Sequence, residues 1–326
     1  MSKERKEWNI VGKKKYFFAA SIVIMVVGIV FNILFGVELD IEFKGGTLIK
    51  YSYQGDLDHN ELENLIDSSL DNSFELTFST GDTNEHAFNL TMTDAISMEE
   101  QEALDAALLE AYPDSQLVKT TSTSVPPSMS EQFFLKCLVA IVLASVFLLI
   151  YVAIRFRKIG GWSAGVMGLI ALLHDVLVAY FVFVIFRIPL DDNFVAVVLS
   201  ILGYSLNATI VIYDRVRENR RIMSSDATIG EVVNRSINQS MSRSVNTSLC
   251  VFVAIAVVTV LALANNLSSI VSFALPMMLG VLSGFYSSTF IAGPLWVLWK
   301  ERKGAGKGAG KGADKKKDGR GKKVKA

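Results

Sequence analysis

Histidine and cysteine are scarce in this sequence: there are three histidines (His59, His86 and His174) and two cysteines (Cys137 and Cys250) in 326 residues. No two histidines stand at metal-ligand spacing, so no metal centre is expected. Both cysteines fall inside apolar runs and read as small packing residues, so no disulfide framework is implied. A phosphate-binding loop of the GxxxxGK[ST] type is also missing. The repetitive "GAGKGAGKG" near the end lacks the flanking strand and helix that such a loop needs, so neither ATP nor another cofactor is expected. No catalytic set is legible, and the chain does not read as an enzyme.

Apolar residues, by contrast, make up 51% of the chain and are unevenly placed. Runs near 17–36, 133–154, 163–186, 194–213, 247–264 and 270–299 are each long enough for a bilayer core, which takes about 20 residues. Six transmembrane helices are predicted. A formal charge of zero hides a strong polarity: 37–132 holds about twenty of the 32 acidic residues and, on the basic side, only Lys44, Lys50 and Lys119. The first fifteen residues, the loop "RFRK", the loop "RVRENRR" and the tail after Lys300 are basic. By the positive-inside rule both termini are cytoplasmic and the acidic segment lies outside. The first run is long for a signal peptide and has no convincing small-x-small cleavage site, so it reads as an uncleaved anchor. The expected layout is a cytoplasmic segment (1–16), a first span (17–36), an external domain (37–132), a five-helix bundle (133–300) and a disordered basic tail (301–326). Charge in that tail suits anionic lipid, ribosome or nucleic acid. A solvated topogenic tail is the plainer reading, and no nucleic-acid partner is expected.

Between the first two spans the pattern is β-α-β-β-α-β. Gly45-Gly46 makes a tight turn before the alternating strand "TLIKYSY". "DLDHNELENLIDSSL" carries Leu62, Leu65, Ile66 and Leu70 at helical spacing behind an Asp cap. "FELTFST" and "HAFNLTM" are strands joined by "GDTN". "SMEEQEALDAALLEAY" is a second amphipathic helix and "SQLVKTTSTSV" a last strand. That order predicts a ferredoxin-like α+β domain.

Polar groups inside the apolar runs are the candidate functional residues. His174-Asp175 fall near the centre of the third span, where a carboxylate is costly and serves either an ion pathway or interhelical hydrogen bonding. The fourth span carries Gly203, Tyr204, Ser205 and Asn207, followed by Ala208; asparagine does not titrate and alanine adds nothing. Asp214 and the arginines after it, Arg215, Arg217 and Arg221, make a boundary ion-pair cluster. "NRSINQSMSRSVNTSLC" (234–250) is polar on most faces. It is either an interfacial helix or a membrane helix whose Arg243 must face protein or water. Gly280 and Gly284 form a small-xxx-small pattern for close helix contact in the last span.

These segments together resemble one family over roughly residues 10–300. "GVELDIEFKGGT" is similar to the Gly-x-Asp-Phe-x-Gly-Gly-Thr segment that follows the first span of SecF proteins, with Glu42 at the usual aspartate. "VPPSMSEQ" resembles their re-entry motif, and "IALLHDVLV", "ILGYSLNATIVIYDRVRENRR", "INQSMSRSVNTS" and "LGVLSGFYSSTFIAGPLW" their third to sixth spans. The resemblance implies a fold related to resistance-nodulation-division transporters in a bacterial cytoplasmic membrane. It implies SecD as partner, the SecYEG channel, YajC and YidC as neighbours, membrane lipid around the spans and an unfolded preprotein as cargo. It also implies ion flow through the membrane halves that moves the external domains. In the family the fourth span reads Tyr-Ser-x-Asn-Asp, and that aspartate works with the arginine of the fifth span. Arg243 matches the arginine, and Ala208 takes the aspartate's place.

Three readings of that departure stay open. Coupling runs through SecD's own carboxylate with Asp175 or Arg243, or the subunit holds substrate without transducing, or the alanine is an engineered loss. A half-sized small-solute exporter is a weaker alternative. Without its counter-charge, Arg243 is expected to turn toward water or another carboxylate.

Overall fold

The computed structural model describes residues 7–303 apart from 56, 71–72, 81–84, 225 and 266. The "GDTN" turn and nearly all of the basic tail therefore lie outside the described residues. Helix α1 (Lys14–Phe35) is the first of six helices long and apolar enough to cross a membrane. Its Gly28 sits beneath Phe181, where a Cβ would come within 2.1 Å of the ring, and its Asn32 side chain accepts from Tyr180 Oη at 2.7 Å.

After α1 the chain makes a short helix α2 (Ile41–Lys44), capped by Asp40, that the sequence did not reveal. It leads into β1 (Gly46–Gln54) and then α3 (His59–Ser69), β2 (Phe74–Thr80), β3 (Glu85–Met92), α4 (Met98–Ala111) and β4 (Val118–Val125). The sheet order is β2-β3-β1-β4, antiparallel throughout, which is the ferredoxin-like arrangement. Gly46 is required at the start of β1: its φ is +126°, and a Cβ there would meet the Met92 carbonyl oxygen at 2.3 Å. Asp58 caps α3, and a Ser97–Glu100 capping box starts α4. Alternate residues of β1 and β3 (Ile49, Tyr51, Phe88, Leu90) bury against Leu62 and Ile66 of α3 and Leu104 and Leu108 of α4. Strand β4 starts at Val118, later than the alternation suggested, because Pro113–Ser115 form a 3-10 turn and Gln116 is left-handed.

Helices α5 (Pro127–Arg155), α6 (Gly161–Phe186), α7 (Asp192–Ile222), α8 (Ile229–Ala264) and α9 complete the bundle. α9 runs from Ser268 through a wider π-helical turn at Ser287–Ala292 and on to Lys303. Helix α8 has 36 residues, so it is about 54 Å long and extends well past a hydrocarbon core of about 30 Å. One continuous helix thus holds both the polar segment 234–250 and the fifth apolar run.

The small domain joins the bundle through α2. Leu39 and Leu190 form a parallel bridge, Arg187 pairs with Glu38, and Glu42 accepts the Asp192 amide at 3.2 Å. Partial burial, then the charges of Asp192 and Asp40, push the Glu42 carboxyl above its ordinary value of 4.5. A raised carboxyl contributes stability below its unfolded value and loses it as pH rises through the folded value. The junction is therefore expected to loosen as pH climbs from about 4.5, and Glu42→Gln should flatten that dependence. Thermal unfolding of the full chain across that range checks it; an equally steep profile in the variant would assign the titration to another group.

Candidate functional site

Asp175 stands near the middle of α6 and is fully buried. A carboxylate in that position needs donors from other helices, since its own helix backbone is already bonded. Three serine hydroxyls supply them, each at 2.6 Å: Ser205 of α7 and Ser287 donate to Oδ2, and Ser283 of α9 donates to Oδ1. His174 Nδ1 faces Oδ1 at 3.2 Å. The ring of His174 lies 6.3 Å from that of Tyr286, and its buried Nε2 has no hydrogen-bond partner within the described chain.

Two features of α9 bring these hydroxyls into range. Gly280 and Gly284 face α7, where a Cβ would lie 2.2 Å from Ile201 Cδ1 and 3.0 Å from Ser205 Cβ respectively. The missing side chains let the two backbones approach beside Ser205. One turn later, the wider π-helical turn starts at Ser287. It allows the adjacent Ser287 and Ser288 both to face the interior, and such turns recur at functional positions. Ser288 donates to the Ser205 carbonyl at 3.0 Å and accepts from Thr209 Oγ1 at 2.9 Å. A hydroxyl rotor both donates and accepts, so this cluster satisfies Asp175 in either protonation state and can pass a proton between neighbours.

Of the residues the sequence singled out, His174, Asp175 and Ser205 come together here. Tyr204, Asn207 and Ala208 do not. Successive residues of α7 point in different directions, and Tyr204 Oη instead donates to Ser248 of α8 at 2.7 Å. Asn207 is exposed beside Gly203, around which a Cβ would meet nothing within 4 Å. Ala208 is half-buried. The Tyr204–Ser248 and Asn219–Ser236 bonds set the register of α7 against α8 and bring position 208 level with the turn of α8 that bears Arg243. Arg243 is exposed and forms no ion pair among the described residues.

The polar start of α8 has partners of its own. Asn234 accepts the Ile10 and Val11 amides, Asn238 exchanges bonds with the Trp8 backbone, and Ser236 and Gln239 both bond Asn219. Asp214 pairs with Arg217, as the boundary cluster suggested, and with Arg155 of α5, which it did not. The sequence reading missed Ser283, Ser287, Ser288 and Thr209. The only trace of the three serines was the density of small residues in "GVLSGFYSST", and Thr209 left none.

Comparison with known proteins gives one consistent result. The family described as "Protein export membrane protein SecD/SecF, C-terminal" matches residues 106–302. The chain is 31% identical over 301 residues to the protein translocase subunit SecF of Alicyclobacillus acidocaldarius, covering 91% of this chain and 94% of that one. It is also 31% identical over 300 residues to the protein translocase subunit SecDF of Bacillus subtilis, here covering 91% of this chain but 39% of the relative. Among solved structures, the crystal structure of SecDF from Thermus thermophilus, titled a translocon-associated membrane protein, superposes with a TM-score of 0.72 at 28% identity. That match covers 92% of this chain and 40% of the SecDF chain. A super-membrane-facing form of SecDF superposes with a TM-score of 0.66 at 27% identity, covering 95% and 41%. The chain thus spans about two-fifths of the SecDF proteins and nearly all of its SecF relative.

Proposed function

The chain belongs to the SecD/SecF family of protein-export membrane proteins, and from that premise we propose that it couples ion entry to late-stage preprotein movement through its buried Asp175 cluster. It is an accessory subunit of Sec protein export and a multi-pass membrane protein. Its partner in this reading is SecD, a pairing that the fused SecDF relatives support, with the SecYEG channel as the route of the preprotein. The membrane is the bacterial cytoplasmic one, with both termini inside and the ferredoxin-like domain outside, as the basic loops favour.

The observation that carries the reading is the convergence of three membrane helices on one carboxylate, Asp175, with position 208 left non-titratable. On this reading the species taken up is a proton, which a carboxylate ringed by hydroxyls can hold and release without any change of partners. His174 lies on its edge and Ser205 on the α7 side. Arg243 and Asn207, on the exposed face, meet SecD rather than Asp175. A second reading, a subunit that holds preprotein without transducing, is favoured by Ala208 itself.

Export into vesicles carrying the chain with SecD, measured with and without an imposed pH gradient, separates the two. On our reading the native chain responds to the gradient, and Ala208→Asp raises that response by less than about twofold. If the native chain does not respond and Ala208→Asp does, coupling belongs to position 208 and the chain as it stands is a holding subunit.

A further inference from the structure

At the end of the bundle that carries the basic loops, α5, α6 and the last turns of α9 leave an open groove of about 960 Å³. Its wall descends along α5 through Ile150 and Ile154, both exposed. Its mouth carries Arg157, Lys300 and Lys303, flanked by Trp162 and Trp299. None of the three cations has a carboxylate partner among the described residues. The two lysines are held in place by aromatic rings: Lys303 Nζ lies 4.4 Å over the Trp299 ring and Lys300 Nζ 5.6 Å over that of Trp296. Gly160 makes room for the lysine head, since a Cβ there would stand 2.7 Å from Lys300 Nζ.

We propose that this groove binds one anionic phospholipid, its phosphate on Arg157, Lys300 and Lys303 and an acyl chain along Ile150 and Ile154. Three like charges brought together with no carboxylate partner among the described residues call for an anion. Tryptophan and basic side chains at helix ends mark the headgroup depth of a membrane. The apolar wall below the cations is what a free phosphate would not need and an acyl chain would. A zwitterionic choline headgroup would return a positive charge to a site that already holds three.

The test is native mass spectrometry of the full chain released from detergent with dioleoyl-phosphatidylglycerol, dioleoyl-phosphatidylcholine or glycerol 3-phosphate. Expected is one retained phosphatidylglycerol, favoured over phosphatidylcholine by at least about tenfold. The triple variant Arg157→Gln, Lys300→Gln, Lys303→Gln should remove that preference. A control that takes three exposed cations from outside the groove (Lys13→Gln, Arg221→Gln, Arg302→Gln) should keep it within about twofold. Ile154→Trp, which fills the wall and leaves the cations, should weaken retention as well. Equal losses in the two triple variants would reduce the effect to overall charge. Equal retention of both lipids would reduce it to a nonspecific lipid shell. Full displacement by glycerol 3-phosphate would make it a soluble-anion site. Any of the three overturns the proposal.

Discussion

Replacing Asp175 with asparagine is expected to abolish the response of export to an imposed pH gradient while leaving a folded chain. Asparagine keeps the shape of the side chain, and the hydroxyls of Ser205, Ser283 and Ser287 can rotate to accept from its amide as well as donate to its carbonyl. We expect a stability loss of about 1–2 kcal/mol, because each interhelical bond in a membrane is worth roughly 0.6–2 kcal/mol and one or two are weakened. The titratable group is gone, so gradient-driven export should fall at least about tenfold. Asp175→Ala removes every acceptor at once and should cost more, roughly 2–5 kcal/mol, from three lost bonds and a void among buried side chains. The pair separates two roles for the cluster. If asparagine preserves the gradient response and alanine destroys it only in step with unfolding, Asp175 is interhelical glue and coupling resides elsewhere.

Gly280→Leu is expected to unfold the contact on which that cluster depends. Its Cβ alone would stand 2.2 Å from Ile201 Cδ1, and Ile201 is fully buried, with nowhere to withdraw. Overpacking of this kind costs about 1–3 kcal/mol where a core can adjust. Here it also separates α9 from α7 and draws Ser283 and Ser287 away from Asp175. A combined loss of about 3 kcal/mol or more follows, read as a lowered unfolding midpoint of the full chain in detergent. Ile201→Ala in the same chain should recover part of it, because the atom struck by the new Cβ is then absent. Failure of that second change to help, with Gly280→Leu still destabilised, would place the damage elsewhere on the helix. A neutral Gly280→Leu would mean that the two helices do not approach this closely.

The two sites differ in how much of them could be read from the chain. Asp175 stood out because a carboxylate inside an apolar run is costly and must face the bundle interior, as part of an ion path or as interhelical glue. Gly280 and Gly284 were legible as a packing pattern, but what they pack against was not. Ser283, Ser287 and Ser288 drew no attention: a serine in a membrane helix can bond its own backbone, so the residue type by itself implies no partner. Asn207 and Tyr204 sit beside Ser205 in sequence and read as one polar centre with it. In the helix each residue turns about 100°, putting Tyr204 about 100° and Asn207 about 200° round from Ser205, so one meets Asp175, one meets Ser248 and one is left on an open face.

What the sequence by itself determined about this protein is everything set by local chemistry. Apolar run length dictated six membrane helices, alternation and caps dictated the β-α-β-β-α-β order of the small domain, and charge placement separated the basic loops from the acidic segment. Only the tertiary structure decided that α6, α7 and α9 bring Asp175, Ser205, Ser283 and Ser287 to one point. It also left Arg243 on an exposed face, with no ion pair among the described residues. The physical reason is that hydropathy reports the depth of a residue in the membrane but not its azimuth. Which faces of three helices meet is settled by where glycines let backbones close and where a π-helical turn shifts the register of a row of hydroxyls.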